Sequence, residues 1–400
     1  MPQSDNITEN THNNGDAQSR KQSRSQSQSQ RQKRAEIAIL GAGVMGLSCA
    51  VALVERGVKA ITIYDPQPLN SAASHQNAST STNSNTDQTT NASAKAGGML
   101  APYSEIEHMD MRWVAAGLRG IERWRTLSAY LETGFVQNGS LLIANAPDRH
   151  SLERFRHHLP HEKRDYCAPH MIEPMLPEKF KAALYLEEEA HLEPQKTLRA
   201  LMEYLSDKVS FVQKAIQSPA AMKDIKADHI LDCRGMGAAA AQPHLRGVKG
   251  ETAIVRNPEF SLSRPVRIMH PRYPLYVVPR PAHIFMIGAT VIESDEAQSV
   301  SLKSSMELMS ALYSLHSSFG EAQILEFSAG IRPSYADNLP KIGVSGRIIS
   351  ANGLFRHGYL LAPVMAGAIA EYICDNKKND DWDLFYDAKS SHQADDQRAA

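Results

Sequence analysis

AEIAILGAGVMGLSCAVALVERG, residues 35–57, is the stretch that decides how the chain folds. Its apolar run 37–40 reads as a short strand, followed at once by Gly41, Gly43 and Gly46. A helix then runs to about Glu55, Gly57 stops it, and residues 60–64 form a second strand ending at Asp65. Strand, tight turn, helix and strand, with an acid about 20 residues on, is the pattern of a dinucleotide site. Each glycine has its own task. Gly41 permits the turn, Gly43 lets the backbone approach a pyrophosphate, and Gly46 lets the helix pack on the strand. The helix N-terminus then faces negative charge, and Asp65 accepts hydrogen bonds from a ribose. Candidate nucleotide contacts are therefore Gly41, Ala42, Gly43, Val44, Met45, Gly46, Asp65 and Pro66. The glycine spacing alone would also describe a Gly-rich turn. The flanking strands and the acid carry the reading.

Composition sets the limits around this unit. The chain has 400 residues, 42% of them hydrophobic, enough for a core and for two domains. A formal net charge of -1 gives no reason to expect a nucleic acid partner. Four scattered cysteines, Cys49, Cys167, Cys233 and Cys374, form no CxxC pair and no metal-ligand spacing, so no metal site is expected. A reduced, cytoplasmic setting is the expectation. No apolar run reaches the roughly 18–20 residues of a membrane helix. Residues 1–34 are rich in Asn, Gln, Ser and Arg, lack the apolar core of a signal peptide, and read as a disordered tail.

Residues 76–95 are dominated by Asn, Ser and Thr and have no hydrophobic period. They read as a solvent-exposed insertion with no function assigned. AGGMLAPYSE, residues 96–105, follows, and Gly97 and Gly98 suggest close backbone approach to a ligand. A helix is expected over 111–131, a strand over 136–144 broken by Gly139 near the cofactor, and a helix with a following strand from 195. A strand over 226–233 leads into RGMGA, 234–238, and returns the chain to the first unit. Antiparallel strands at 275–278 and 284–289 flank a turn containing Pro279 and Pro281, and 306–315 is helical. A final helix is expected from about Ala362, with Pro363 in its first turn. The resulting fold class is α/β: a Rossmann-like nucleotide domain with an inserted mixed or antiparallel-sheet domain.

The far end of the chain adds AGIRPSYADNLPKIG (329–343) and SANGLFRHGYLLAPVMAGAIAEYI (350–373). With these segments, the chain resembles the D-amino-acid oxidase family of FAD-dependent amine oxidoreductases over residues 35–373. Within it, the glycine oxidases of thiamine biosynthesis are the nearest subgroup. The resemblance rests on 41–46, on AGGMLAPYSE, on DCRGMGA (232–238) and on LRGVKGE (245–251). YVVPR (276–280), GIRP (330–333) and GLFRHGYLLAP (353–363) complete it. The domains it implies are an FAD domain in three parts (35–135, 201–246 and 326–376) and a substrate domain, mainly 136–200 and 247–325. Polar residues 377–400 form a tail.

The resemblance also implies roles. Arg332 would hold a substrate carboxylate; a buried structural cation is the bland alternative. Tyr276 would add a hydroxyl to the same group or shape the pocket. Arg356 would orient flavin or substrate. Ala96, Gly97, Gly98, Met99 and Leu100 would lie near the flavin ring, and Val209, Cys233, Arg234 and Gly235 would also contact FAD. The amides of 353–360, with His357, Gly358, Tyr359 and Leu360, would line the ring's carbonyl edge, where negative charge develops on reduction. His357, next to Arg356, reads as structural positioning rather than as a catalytic group. Arg280 reads as structural. Arg246 is either a flavin contact or a domain-boundary tie. No cysteine matches a covalent flavin link, so FAD would be non-covalent. Asp65 replaces the family's usual glutamate.

The reaction so implied is oxidation of glycine by oxygen and water to glyoxylate, ammonia and hydrogen peroxide, through an imine that could be handed to a thiazole synthase. An arginine suits the carboxylate because its planar fork meets both oxygens. Sarcosine or a small D-amino acid would use the same arginine, a quinone could replace oxygen, and a non-catalytic FAD module is a different class. Self-association stays open.

Overall fold

The computed structural model describes residues 35–67, 91–107, 109–270, 275–296 and 299–388. The tail 1–34, most of the insertion and the end of the C-terminal tail lie outside the described residues. Two large sheets organise the molecule. The first has six strands in the order Lys341–Ser345, Ile348–Asn352, His229–Asp232, Glu36–Leu40, Ala60–Asp65 and Ser210–Gln213. All neighbours are parallel except the pair Lys341–Ser345 and Ile348–Asn352. Its central strands, Glu36–Leu40 and His229–Asp232, are buried on successive residues and so on both faces, as parallel sheets require. Helix Val44–Glu55 is buried over its first ten residues, from Val44 to Leu53, and packs on the last long helix, Gly358–Asp375.

The second sheet has nine strands. Arg246–Arg256 is one continuous strand, paired antiparallel with Gln323–Ser334 along its whole length. Ile284–Gly288 and Leu275–Arg280 follow as an antiparallel hairpin whose turn places Ala282 and His283 at positive φ. Val266–Ile268 then joins Ser140–Ile143 in the sheet's parallel step. Phe260, Phe285 and Phe319 cluster beneath this sheet with ring centroids 4.9–5.9 Å apart. The α/β fold class with an inserted mixed sheet is therefore observed.

Several local expectations change. The sequence reading puts 326–334 in the nucleotide unit, but their pairing with Arg246–Arg256 puts them in the second sheet. Helix Pro194–Leu205 packs on the fingerprint helix, so 194–200 belong with the first core. The strand expected over 136–144 shrinks to Ser140–Ile143. Gly139 breaks it at φ +79, but beside Tyr185 rather than beside the cofactor, because an added Cβ would lie 2.4 Å from that ring.

The final helix begins four residues earlier than expected, at Gly358, which leaves Pro363 in its interior. Proline there removes one donor, normally at a cost of about 3 kcal/mol. The carbonyl left over is that of Tyr359, and the Trp124 indole donates to it at 2.6 Å. Helix Met111–Ser128 can come this close because Gly120 faces the bend: a Cβ at Gly120 would stand 1.9 Å from the Leu360 carbonyl oxygen.

Candidate active site

A cavity of about 560 Å3 runs from the fingerprint turn to the second sheet, within the usual range for a ligand site. At its first end Gly41 has φ +99, and a Cβ there would meet the Cys233 carbonyl oxygen at 2.6 Å. A Cβ at Gly46 would meet the Gly41 oxygen at 1.9 Å, so helix and strand touch through that glycine. Gly41, Gly43, Val44 and Met45 line the cavity, whereas Gly46 and Ala42 support the turn from behind. Asp65 and Pro66 also line it. The Asp65 carboxylate accepts from Ala42 N at 2.7 Å and Gln67 N at 2.9 Å, one bond per oxygen. Each oxygen keeps a lone pair for a ligand hydroxyl.

The insertion, to which the sequence assigns no function, contributes its last residues to this wall. Asn91, Ala92, Ser93 and Lys95 line the cavity. Ser93 Oγ accepts from Val44 N at 3.1 Å, at the start of the fingerprint helix. Its backbone oxygen accepts from the Tyr359 hydroxyl at 3.0 Å. Lys95 pairs with Glu326 at 3.1 Å. Low-complexity composition hid these residues; the signal was their position just before AGGM.

Val209 is displaced from its expected role. It precedes strand Ser210–Gln213 and packs on the first core, and the wall there is formed by Lys214, Ala215, Ile216 and Gln217 just beyond the strand. Leu100 is fully buried in that core and is also absent from the lining, whereas Ala96, Gly97, Gly98 and Met99 belong to it. Cys233, Arg234 and Gly235 line the wall as well. The Arg234 guanidinium is already committed, forming a two-pronged pair with Asp232 at 2.7 Å and donating to the Ile216 carbonyl.

At the other end lies a cationic cluster. Arg332 leaves strand Gln323–Ser334 opposite Val248 and donates to the Thr290 carbonyl at 3.1 Å. The guanidinium crosses Gly250, where a Cβ would clash at 2.1 Å. Tyr276 sits between Gly97 and Gly288, whose added Cβ atoms would lie 3.2 Å and 2.7 Å from its hydroxyl oxygen. Burial raises the Tyr276 pKa and lowers that of Arg332, while the tyrosine and the two guanidiniums Arg332 and Arg356 feel one another's charge. Arg356 pairs with Glu105 at 2.9 Å. Among the described residues Arg332 has no carboxylate ion pair.

The loop 353–357 joins the two ends. Gly353 has φ +74, and a Cβ there would strike the Tyr335 ring at 2.3 Å. Phe355 N donates to the Pro333 carbonyl at 2.9 Å, which ties this loop to the Arg332 strand. His357 is buried and lines the cavity with Gly358, Tyr359 and Leu360 at the N-terminus of the long helix. Arg280 donates to the Gly97 carbonyl at 2.6 Å, and burial lowers its pKa to about 10. Arg246 bonds Asn338 at 2.6 Å and pairs with Glu293, off the cavity wall.

A glycine cradle that no side chain could share, an oriented acid and a helix N-terminus fit the adenosine diphosphate half of a dinucleotide. Residues 36–372 match the family model described as FAD dependent oxidoreductase. The chain is 38% identical over 335 residues to a Rhizobium etli protein named as thiamine biosynthesis oxidoreductase ThiO, covering 84% of this chain and 95% of that one. It is 26% identical to the bifunctional protein ThiO/ThiG of Trichormus variabilis, covering 90% of this chain and 56% of that one. The fold matches the crystal structure of glycine oxidase from Geobacillus kaustophilus with a TM-score of 0.71 at 22% identity, over 90% and 98% of the two chains. This chain belongs to the D-amino-acid oxidase family of FAD-dependent oxidoreductases, close to the glycine oxidase and ThiO proteins, and its cofactor is non-covalent FAD.

Proposed function

We propose that the protein oxidises glycine, and amines little larger, to the corresponding imine, with oxygen reduced to hydrogen peroxide. Hydrolysis of the glycine imine gives glyoxylate and ammonia. The observation that carries this reading is Arg332: a half-buried guanidinium in the cavity wall beside the Tyr276 hydroxyl, with a carbonyl contact but no carboxylate ion pair among the described residues. Such a cation is costly to bury unless a ligand anion completes it. A substrate carboxylate supplies that anion, bound by the guanidinium fork and the phenol.

Bound FAD supplies the two-electron acceptor. The chain's own residues do the rest. Gly41, Val44 and Asp65 would hold its diphosphate and ribose. Gly97, Met99 and the 353–360 segment would hold its ring. Arg332 and Tyr276 would fix the carboxylate, and so the direction of the bond to be oxidised. Orientation of this kind accounts for a large share of an enzyme's rate. Similarity to ThiO and to a ThiO/ThiG fusion supports a place in thiamine biosynthesis, with the imine handed to a thiazole synthase.

The test is anaerobic. Glycine, sarcosine, D-alanine and L-alanine are mixed in turn with the oxidised holoenzyme, and the loss of flavin absorbance is timed. Fast bleaching by glycine, with peroxide on return of air, is the expected result. Bleaching by another amine but not by glycine would overturn the substrate assignment.

A further inference from the structure

Among the described residues, three arginines line the reacting end of the cavity: Arg267, Arg332 and Arg356. Two of them face carboxylates. Arg356 pairs with Glu105 at 2.9 Å, both side chains largely buried at 20% and 15% exposure. Arg267 stands 3.9 Å from Glu107 and donates to the Ser104 carbonyl. The Asp295 carboxylate is at the exposed rim. Among the described residues, Arg332 is the one of these three without a carboxylate ion pair, and it is left for the ligand.

The chain beside Glu105 is anchored through Ser104. Glu105 ends the short helical turn Tyr103–Glu105, whose Ser104 gives its N–H to Glu189 at 2.7 Å and its hydroxyl to the same carboxyl at 2.8 Å. Glu189 is itself fully buried. A carboxylate so braced acts as a fixed charge on the cavity wall.

We propose that Glu105 determines specificity, neutralising Arg356 so that the site accepts amines with one carboxylate and rejects those with two. The inference rests on the reading that Arg332 binds the substrate carboxylate. Without Glu105, Arg356 would stand beside Arg332 as a second free guanidinium in a poorly solvated wall, where charges act strongly. A second carboxylate, as in iminodiacetate or D-aspartate, would then find a partner. With Glu105 present, that carboxylate meets a pair already satisfied and an anion of its own sign. Specificity of this kind works by repulsion as much as by attraction.

The test uses FAD-loaded enzyme and two unreactive ligands, acetate and malonate, at a pH where malonate is a dianion. Binding is read from the perturbation of the flavin's visible spectrum. Glu105→Gln keeps the shape and removes the charge. The expected result is a rise of about tenfold or more in the affinity ratio of malonate to acetate, and a parallel rise in the kcat/KM ratio of iminodiacetate to glycine. The double variant Glu105→Gln with Arg356→Gln should return the ratio to near its original value. An unchanged ratio in Glu105→Gln, with FAD content and Tm intact, overturns the proposal. Should that variant fail to fold, Arg356→Gln alone decides, because it leaves the Glu105 charge facing Arg332. Acetate should then bind about tenfold more weakly or worse, and unchanged binding overturns the proposal equally. Arg332→Met separates the two readings. If acetate binds as well without Arg332, the carboxylate assignment fails, whatever Glu105 does.

Discussion

The Trp124 indole N–H reaches the Tyr359 carbonyl at 2.6 Å, the same carbonyl that Pro363 leaves without its helical donor. Pro363 therefore sits inside the last helix without an unsatisfied buried group. The bond also fixes the first turn of a helix whose Gly358, Tyr359 and Leu360 line the cavity. Packing and site are coupled at this point.

Trp124→Phe should expose that coupling. Phenylalanine keeps most of the apolar contact and removes the donor, leaving a buried carbonyl unpaired at a cost of about 1–3 kcal/mol. The expected result is a lower midpoint in denaturant with an unchanged m value. FAD affinity should fall in parallel, because the turn that lines the cavity loosens. A variant as stable as the parent would show that water or another group takes over the carbonyl.

Arg332→Met should separate substrate binding from cofactor binding. The loss of a charge-assisted pair in a buried site lowers kcat/KM for glycine by about a hundredfold or more. The long side chain of methionine fills the space across Gly250, so FAD content and Tm should hold. Release of FAD instead would place Arg332 in cofactor binding.

Much of this was legible in the chain. Gly41 and Gly46 could be read because a Cβ at either would collide with backbone, so the spacing itself reports the geometry. Arg332 and Tyr276 were singled out by short motifs, and the second sheet brings them together. Ser93 and Lys95 were not legible, because a run of Asn, Ser and Thr has no period to show where it stops being a loop. Val209 was misplaced because the wall is built past the end of a short strand, and strand ends are what a sequence fixes least well. The start of the last helix was misjudged because Pro363 normally marks a first turn. Its tolerance depends on Trp124, which is 239 residues away by number and adjacent only in the fold.

Ser93→Ala tests the part of the insertion that enters the site. Its hydroxyl sits at the N-terminus of the fingerprint helix, 3.1 Å from Val44 N, where a diphosphate would be held. A hydrogen bond to a charged group is worth about 1.5–3 kcal/mol, so the FAD dissociation constant should rise about tenfold or more. Titration of apoprotein with FAD, followed by quenching of flavin fluorescence, measures it. Equal affinity would remove Ser93 from the cofactor site.

Glu189→Gln tests the brace beneath Glu105 through its pH dependence. Burial raises the Glu189 pKa from 4.5 to about 7, against the opposing pull of its serine hydrogen bonds and Arg267. Between those two values the folded protein binds more protons at this site than the unfolded chain. Its contribution to stability is thus complete below the unfolded pKa and is lost as pH rises through the folded one. His191, in the strand facing Met99, does the opposite: burial and Arg280 lower its pKa from 6.5 to about 4, so its contribution falls as pH drops through that range. The two slopes oppose each other in the parent. Glutamine can accept from Ser104 N and donate to a serine hydroxyl, but it does not titrate. Relative to the parent, Glu189→Gln should therefore gain stability on going from the acid to the neutral end of the window, by up to about 3 kcal/mol. Denaturant titrations of both proteins across that range read the difference directly. A constant difference would mean that Glu189 titrates alike in the folded and unfolded chains.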